Sequence, residues 1–190
     1  MRALTPANQL TLLRMLLIPA FVILVLYEKL GWALIVFVTA GVTDGLDGII
    51  ARRSGQKTQL GAWLDPMADK LLLVTTFIVL TLPGLGLSNR LPVWLTVLII
   101  SRDVGIVLTV TIVNLAIGPR TFRPSIFGKA ATATYIVTAV AAMLFNYLRR
   151  PSVIVDLCVY ASLVLTLLSS LHYIWHAARI IDESRAGSPW

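Results

Sequence analysis

The chain has 190 residues, 57% of them apolar and only 13% charged, with a formal net charge of +7 and a mean hydropathy of +0.85. That balance excludes a soluble globular domain, in which about a quarter of residues are charged, and places the chain in a lipid bilayer. The surplus of Lys and Arg does not indicate nucleic acid, because the cations alternate with apolar stretches and gather on no polar face.

Apolar stretches close to the ~20 residues needed to cross hydrocarbon occupy residues 8–27, 31–50, 65–83, 92–113, 127–147 and 152–177. The expected fold is therefore all-α: a polytopic integral membrane protein with about six transmembrane helices in one membrane domain spanning residues 1–190. The first stretch opens on polar Asn8-Gln9, runs too long and lacks a small-x-small cleavage site, so it reads as a retained helix, with Pro19 a place where it can kink. Gly31, Ser54-Gly55, the Pro83-to-Gly86 run, Gly118-Pro119 and Pro151 punctuate the spans. With both termini in the cytoplasm, Arg52, Arg53, Lys57, Arg120, Arg123 and Lys129 fall inside and Lys29, Arg90, Arg149 and Arg150 outside. The positive-inside rule favours this orientation, with Arg149-Arg150 a local exception.

Where the second span ends and the third begins, the chain carries Asp44, Asp47, Gly48, Ala51 and Arg52, then Gly61, Asp65 and Asp69. Residues three or four apart share a helix face, so Asp44 with Asp47, and Asp65 with Asp69, project in pairs that an antiparallel hairpin brings together. Four carboxylates at a membrane boundary repel one another and lose hydration, and need cations to hold them. Oxygen donors without His or Cys suit Mg²⁺ or Mn²⁺, and two such ions, about 3.5–4 Å apart, would clamp a pyrophosphate. Gly48 and Gly61 let the backbone approach a ligand closely, and Arg52 offers a fork of donors to phosphate.

The spacing D-x-x-D-G-x-x-A-R-x8-G-x-x-x-D-x-x-x-D resembles the signature of the CDP-alcohol phosphatidyltransferases, matching at every fixed position. The resemblance implies Asp44, Asp47, Asp65 and Asp69 as metal ligands, with Asp69 also the base that deprotonates the acceptor hydroxyl. It further implies Gly48, Ala51, Arg52 and Gly61 around the cytidine diphosphate of CDP-diacylglycerol, and a homodimer. The expected location is a bacterial plasma membrane, with the active site on the cytoplasmic side.

Charges within the hydrocarbon are costly, so Arg14, Arg102 and Lys129, joined by Arg120 and Arg123, mark the expected binding pocket for an anionic, phosphate-bearing acceptor. Arg102 lies near the middle of the fourth span. Adjacent helical residues point about 100° apart, so Asp103 reads as a poorly placed partner for it. The Asn8-to-Arg14 block, Asp65-Pro66-Met67-Ala68-Asp69-Lys70 and Gly128-Lys129 resemble the phosphatidylglycerophosphate synthases, which use glycerol 3-phosphate. Ser101-Arg102-Asp103 and Pro124-Ser125 before Gly128 are also similar to cardiolipin synthases, which use phosphatidylglycerol, and inositol phosphate is a third anionic acceptor. The favoured expectation is glycerol 3-phosphate. A divalent-cation transporter would instead carry its acids at the midplane on broken helices, whereas these cluster at one interface beside Arg52.

Among the remaining features, Gly41, Gly45 and Gly105 read as close helix contacts, His172 and His176 as interfacial packing beside Tyr173 and Trp175, and Trp32, Trp63 and Trp94 as an aromatic belt. Cys158 is the single cysteine, within the last span, and reads as a packing residue.

Overall fold

The computed structural model describes the backbone of residues 6–54, 59–117 and 125–186, and side chains within 9–44, 67–115 and 125–179. The described residues form helices α1 (Pro6–Leu26), α2 (Leu30–Ser54), α3 (Gln59–Thr81), α4 (Val93–Ile117), α5 (Ile126–Tyr147) and α6 (Val153–Ala186), with no strand among them. Among the described residues, four segments are long and apolar enough to cross a membrane: Gln9–Leu26, Val93–Leu115, Ile126–Tyr147 and Val153–Arg179. The large side chains confirm a lipid environment by facing outward: Leu16 is 71% exposed, Leu115 83% and Ile126 84%, while Thr11, Arg14, Asn146 and Thr166 are buried. Trp32 and Trp94 are exposed near helix starts, and the Trp63 side chain lies outside the described residues.

Helix ends differ from the apolar stretches. The second apolar stretch ends at residue 50, but α2 continues to Ser54. Likewise α3 begins at Gln59, so Asp65 lies in its second turn and not at its start. Hydropathy marks where a helix meets lipid, whereas the helix itself continues through Ala51, Arg52 and Arg53, all good helix formers, to Ser54. α1 runs through Pro19 as one helix.

Two compact units can be recognised. The first comprises residues 1–91 and 139–155, the second 92–138 and 156–190. In the first, α1 packs along α2 and α3, with Phe21, Val25, Ala33, Phe37 and Phe77 buried and the Phe21 and Phe37 rings 6.0 Å apart. Gly31 lets the start of α2 lie close to Tyr147, since an added Cβ would come within 2.8 Å of its ring. Among the described residues no such contact surrounds Gly41 or Gly105. The expectation of close helix contacts there fails, because both positions face away from their neighbours; Gly45 lies outside the residues with described side chains.

α1 and α5 end alike. Lys29 N donates to Leu24 O and Glu28 N to Val25 O; Arg150 N donates to Phe145 O and Arg149 N to Asn146 O. This is the Schellman pattern, which satisfies the last carbonyls of a helix by a left-handed residue. Glycine is usual at that residue, yet here Glu28 (φ 57°) and Arg149 (φ 51°) hold it. Nearby, Asn89 ties two connections together. Its amide donates to Asn146 Oδ1 (2.7 Å), its Nδ2 to Arg150 O (2.7 Å), and its Oδ1 accepts from Ser152 N (2.8 Å).

In the second unit a buried polar seam joins α5 to α6. Tyr135 Oη and Thr166 Oγ1 are 2.6 Å apart, and Thr138 Oγ1 and Ser162 Oγ 2.9 Å. Hydroxyls in such a seam satisfy one another where water is absent, and hold helices that gain nothing from ordinary hydrophobic attraction inside lipid.

Candidate active site

Asp44 lies ten residues before the end of α2 and Asp69 ten after the start of α3. Both are thus about 15 Å from their helix ends at 1.5 Å per residue. Asp44 and Asp69 thus stand equally far from the end of α2 and the start of α3. Asp69 is half-buried on α3, next to fully buried Ala68. Asp47, Gly48, Ala51 and Arg52 fall within α2, and Gly61 and Asp65 within α3, but their side chains lie outside the described residues.

Arg14, expected in an acceptor pocket, reaches Asp44 from α1. Its Nη1 is 2.5 Å from Asp44 Oδ1; the arginine side chain has 0% exposure and the aspartate 41%. A buried guanidinium needs a counter-charge, and the half-open carboxylate supplies it while keeping a face toward the outside. One member of the expected metal-ligand set is thus anchored from behind by a cation. The donor chemistry fits a hard divalent ion: the four acids of the set are all carboxylates, and Asp44 retains exposed surface.

The second unit holds Arg102, mid-way along α4, with 6% of its side chain exposed. Contrary to the expectation from helix geometry, Asp103 is its partner: Arg102 Nη1 donates to Asp103 Oδ1 at 2.9 Å. The 100° argument concerns Cβ directions, and the long arginine side chain folds back far enough to overcome it. Arg102 Nη2 donates to Ser169 Oγ on α6 (2.9 Å), and its buried Nε has no hydrogen-bond partner among the described residues.

The first turn of α5 closes over this group. Ser125 caps the helix, its Oγ accepting from Gly128 N at 3.0 Å. A Cβ on Gly128 would lie 3.1 Å from Arg102 Nη2 and 3.2 Å from Ser125 Oγ. Gly128 therefore lets the turn approach the guanidinium. Lys129 is exposed; Arg120 and Arg123 lie outside the described residues. Ser169 escaped the sequence reading, although paired serines, Ser169-Ser170, inside an apolar run are a signal for a polar contact.

His172 and His176 pack as rings, with centroids 6.3 Å apart. Phe127 lies 5.4 Å from His172, and Arg179 stacks 5.8 Å over Trp175.

Comparison with known proteins bears on this arrangement. A family model described as CDP-alcohol phosphatidyltransferase matches residues 4–175. A "Probable phosphatidylglycerophosphate synthase" of Mycobacterium tuberculosis is 35% identical over 189 residues, covering 94% of this chain and 84% of the relative. A "Putative cardiolipin synthase" of Mycobacterium bovis is 39% identical over 140 residues, 72% of this chain and 63% of the relative. A "Cardiolipin synthase (CMP-forming)" of Streptomyces coelicolor is 38% identical over 137 residues, 69% and 61% of the two chains.

Proposed function

The chain belongs to the CDP-alcohol phosphatidyltransferase family, and we propose that within it this protein moves the phosphatidyl group of CDP-diacylglycerol to glycerol 3-phosphate. As a family member it is an integral membrane transferase of phospholipid synthesis. The observation that carries the choice of acceptor is the extent of likeness: the phosphatidylglycerophosphate synthase aligns with 94% of the chain, the cardiolipin synthases with 72% and 69%.

In this reading the acceptor hydroxyl bonds to the phosphorus bearing diacylglycerol, the bond from that phosphorus to the CMP oxygen breaks, and the hydroxyl proton passes to the Asp69 carboxylate. Arg14 holds Asp44 in place. Asp44, Asp47, Asp65 and Asp69 would hold the divalent ions that the family generally uses; when bound, these neutralise the pyrophosphate and stabilise the departing CMP. Gly48, Ala51, Arg52 and Gly61 receive the cytidine diphosphate. Arg102 and Lys129, with Arg120 and Arg123, bind the acceptor phosphate, the buried Nε of Arg102 being a donor left to offer. The active site faces the cytoplasm of a bacterial plasma membrane, and the enzyme works as a homodimer built from one catalytic domain per chain.

A cardiolipin synthase is the second reading, favoured by the higher identity of the shorter alignments. The deciding experiment supplies purified protein with CDP-diacylglycerol and labelled glycerol 3-phosphate, phosphatidylglycerol or inositol phosphate, and identifies the lipid formed. Phosphatidylglycerophosphate with equimolar CMP is expected. Product from phosphatidylglycerol alone would overturn the assignment.

A further inference from the structure

The first unit contains a cavity of about 880 Å³ at the end of α1 and α2 remote from the aspartates, lined by Glu28, Lys29, Trp32, Leu34, Tyr147 and Arg149 among others. It begins at the α1–α2 turn, and Asp44 lies fourteen residues beyond Leu30, or about 21 Å along the helix. The cavity therefore belongs to the opposite membrane surface and not to the transferase site.

Three observations converge on it. Lys29 and Arg149 are cations on the side where the positive-inside rule leaves them unexplained, and neither has an ion-pair partner among the described residues. Glu28 and Arg149 occupy left-handed positions, φ 57° and 51°, where glycine would relieve about 1 kcal/mol or more of strain; both turns keep a charged side chain at that cost, and both charges line this cavity. The lining also sets these charged turns beside the amphipathic rings of Trp32 and Tyr147 and the apolar Leu34, the kinds of group that meet a phospholipid's head and chain.

We propose that this cavity binds a glycerophospholipid whose head group carries a hydrogen-bond donor beyond its phosphodiester: Lys29 and Arg149 take the phosphate, Glu28 accepts from the donor, and an acyl chain follows Leu34. The donor is a hydroxyl in phosphatidylglycerol and an ammonium in phosphatidylethanolamine. Phosphatidylcholine has neither.

The test uses the full-length protein, delipidated in detergent, with binding read by native mass spectrometry and by the melting temperature on adding each lipid. Phosphatidylglycerol or phosphatidylethanolamine should bind and raise the melting temperature, phosphatidylcholine much less. The Lys29→Gln/Arg149→Gln variant should bind the preferred lipid about tenfold more weakly or worse, with transferase activity in detergent within about twofold of wild type. Lipid held at the transferase site persists in this variant, so the difference between the two proteins isolates the cavity. Arg149→Gly provides the sharper sign. It should melt higher than wild type without lipid, since strain is relieved, and yet lose most of the lipid-dependent rise. Unchanged lipid affinity in both variants, equal binding of phosphatidylcholine, or displacement of the lipid by free glycerol 3-phosphate would each overturn the proposal.

Discussion

The guanidinium of Arg14, with no exposed surface, is paired with the Asp44 carboxylate. Removing one partner of a buried pair costs about 3–5 kcal/mol; with Asp44 41% exposed, water softens the loss to about 1–3 kcal/mol. Asp44→Asn should therefore lower the melting temperature by several degrees as well as abolish CMP release. Adding Arg14→Met to Asp44→Asn should restore the melting temperature and leave activity absent, which calorimetry beside a CMP assay would reveal. Asp69→Asn should stop CMP release with far less thermal effect. Gly128 makes a second residue-scale case. Alanine there sets a methyl 3.1 Å from Arg102 Nη2, while Asp103 and Ser169 hold that guanidinium in place. Initial-rate kinetics should show the acceptor KM of Gly128→Ala raised about three- to tenfold, with the KM for CDP-diacylglycerol nearly unchanged. An equal rise in both would point to a merely structural glycine.

At the scale of elements, the α5–α6 seam stands on hydroxyl pairs. Tyr135→Phe removes the 2.6 Å contact with Thr166 and should cost about 0.6–1.7 kcal/mol. Unfolding in mixed micelles measures it, and turnover should stay close to wild type. The helices themselves were legible in the sequence because lipid imposes a length and a polarity that composition cannot hide. Their ends were not: α2 runs to Ser54, four residues past its apolar stretch, and α3 starts at Gln59, six before its own, since hydropathy is silent where a helix leaves lipid. Side-chain pairing was the least legible. Arg14 and Asp44 were both singled out, one for an acceptor and the other for a metal, and nothing in their 30-residue separation announces that they meet. Arg102 with Asp103 failed for the opposite reason: a rule about directions was applied to a side chain long enough to turn back.

For the whole molecule, a site assembled from carboxylates and a pyrophosphate-bearing donor should depend on divalent ions. Chelation with excess EDTA should reduce CMP release to background, and Mg²⁺ or Mn²⁺ in the millimolar range should restore it. Full turnover in the chelator would remove the metal role from the aspartates. The Asn89 clamp has a consequence for how this protein is made. Its side chain and amide are bound by residues 57 to 63 positions further along the chain. During synthesis at about 5–20 residues per second, Asn89 waits roughly 3–11 s for Asn146 to leave the ribosome. Throughout that interval the first three helices are a partial assembly, with polar groups at the bilayer surface satisfied only by water and lipid heads. Completion of the first unit is thus timed by the emergence of α5, and a nascent chain arrested before Asn146 should remain open to protease at the α3–α4 connection, becoming resistant once the clamp has closed.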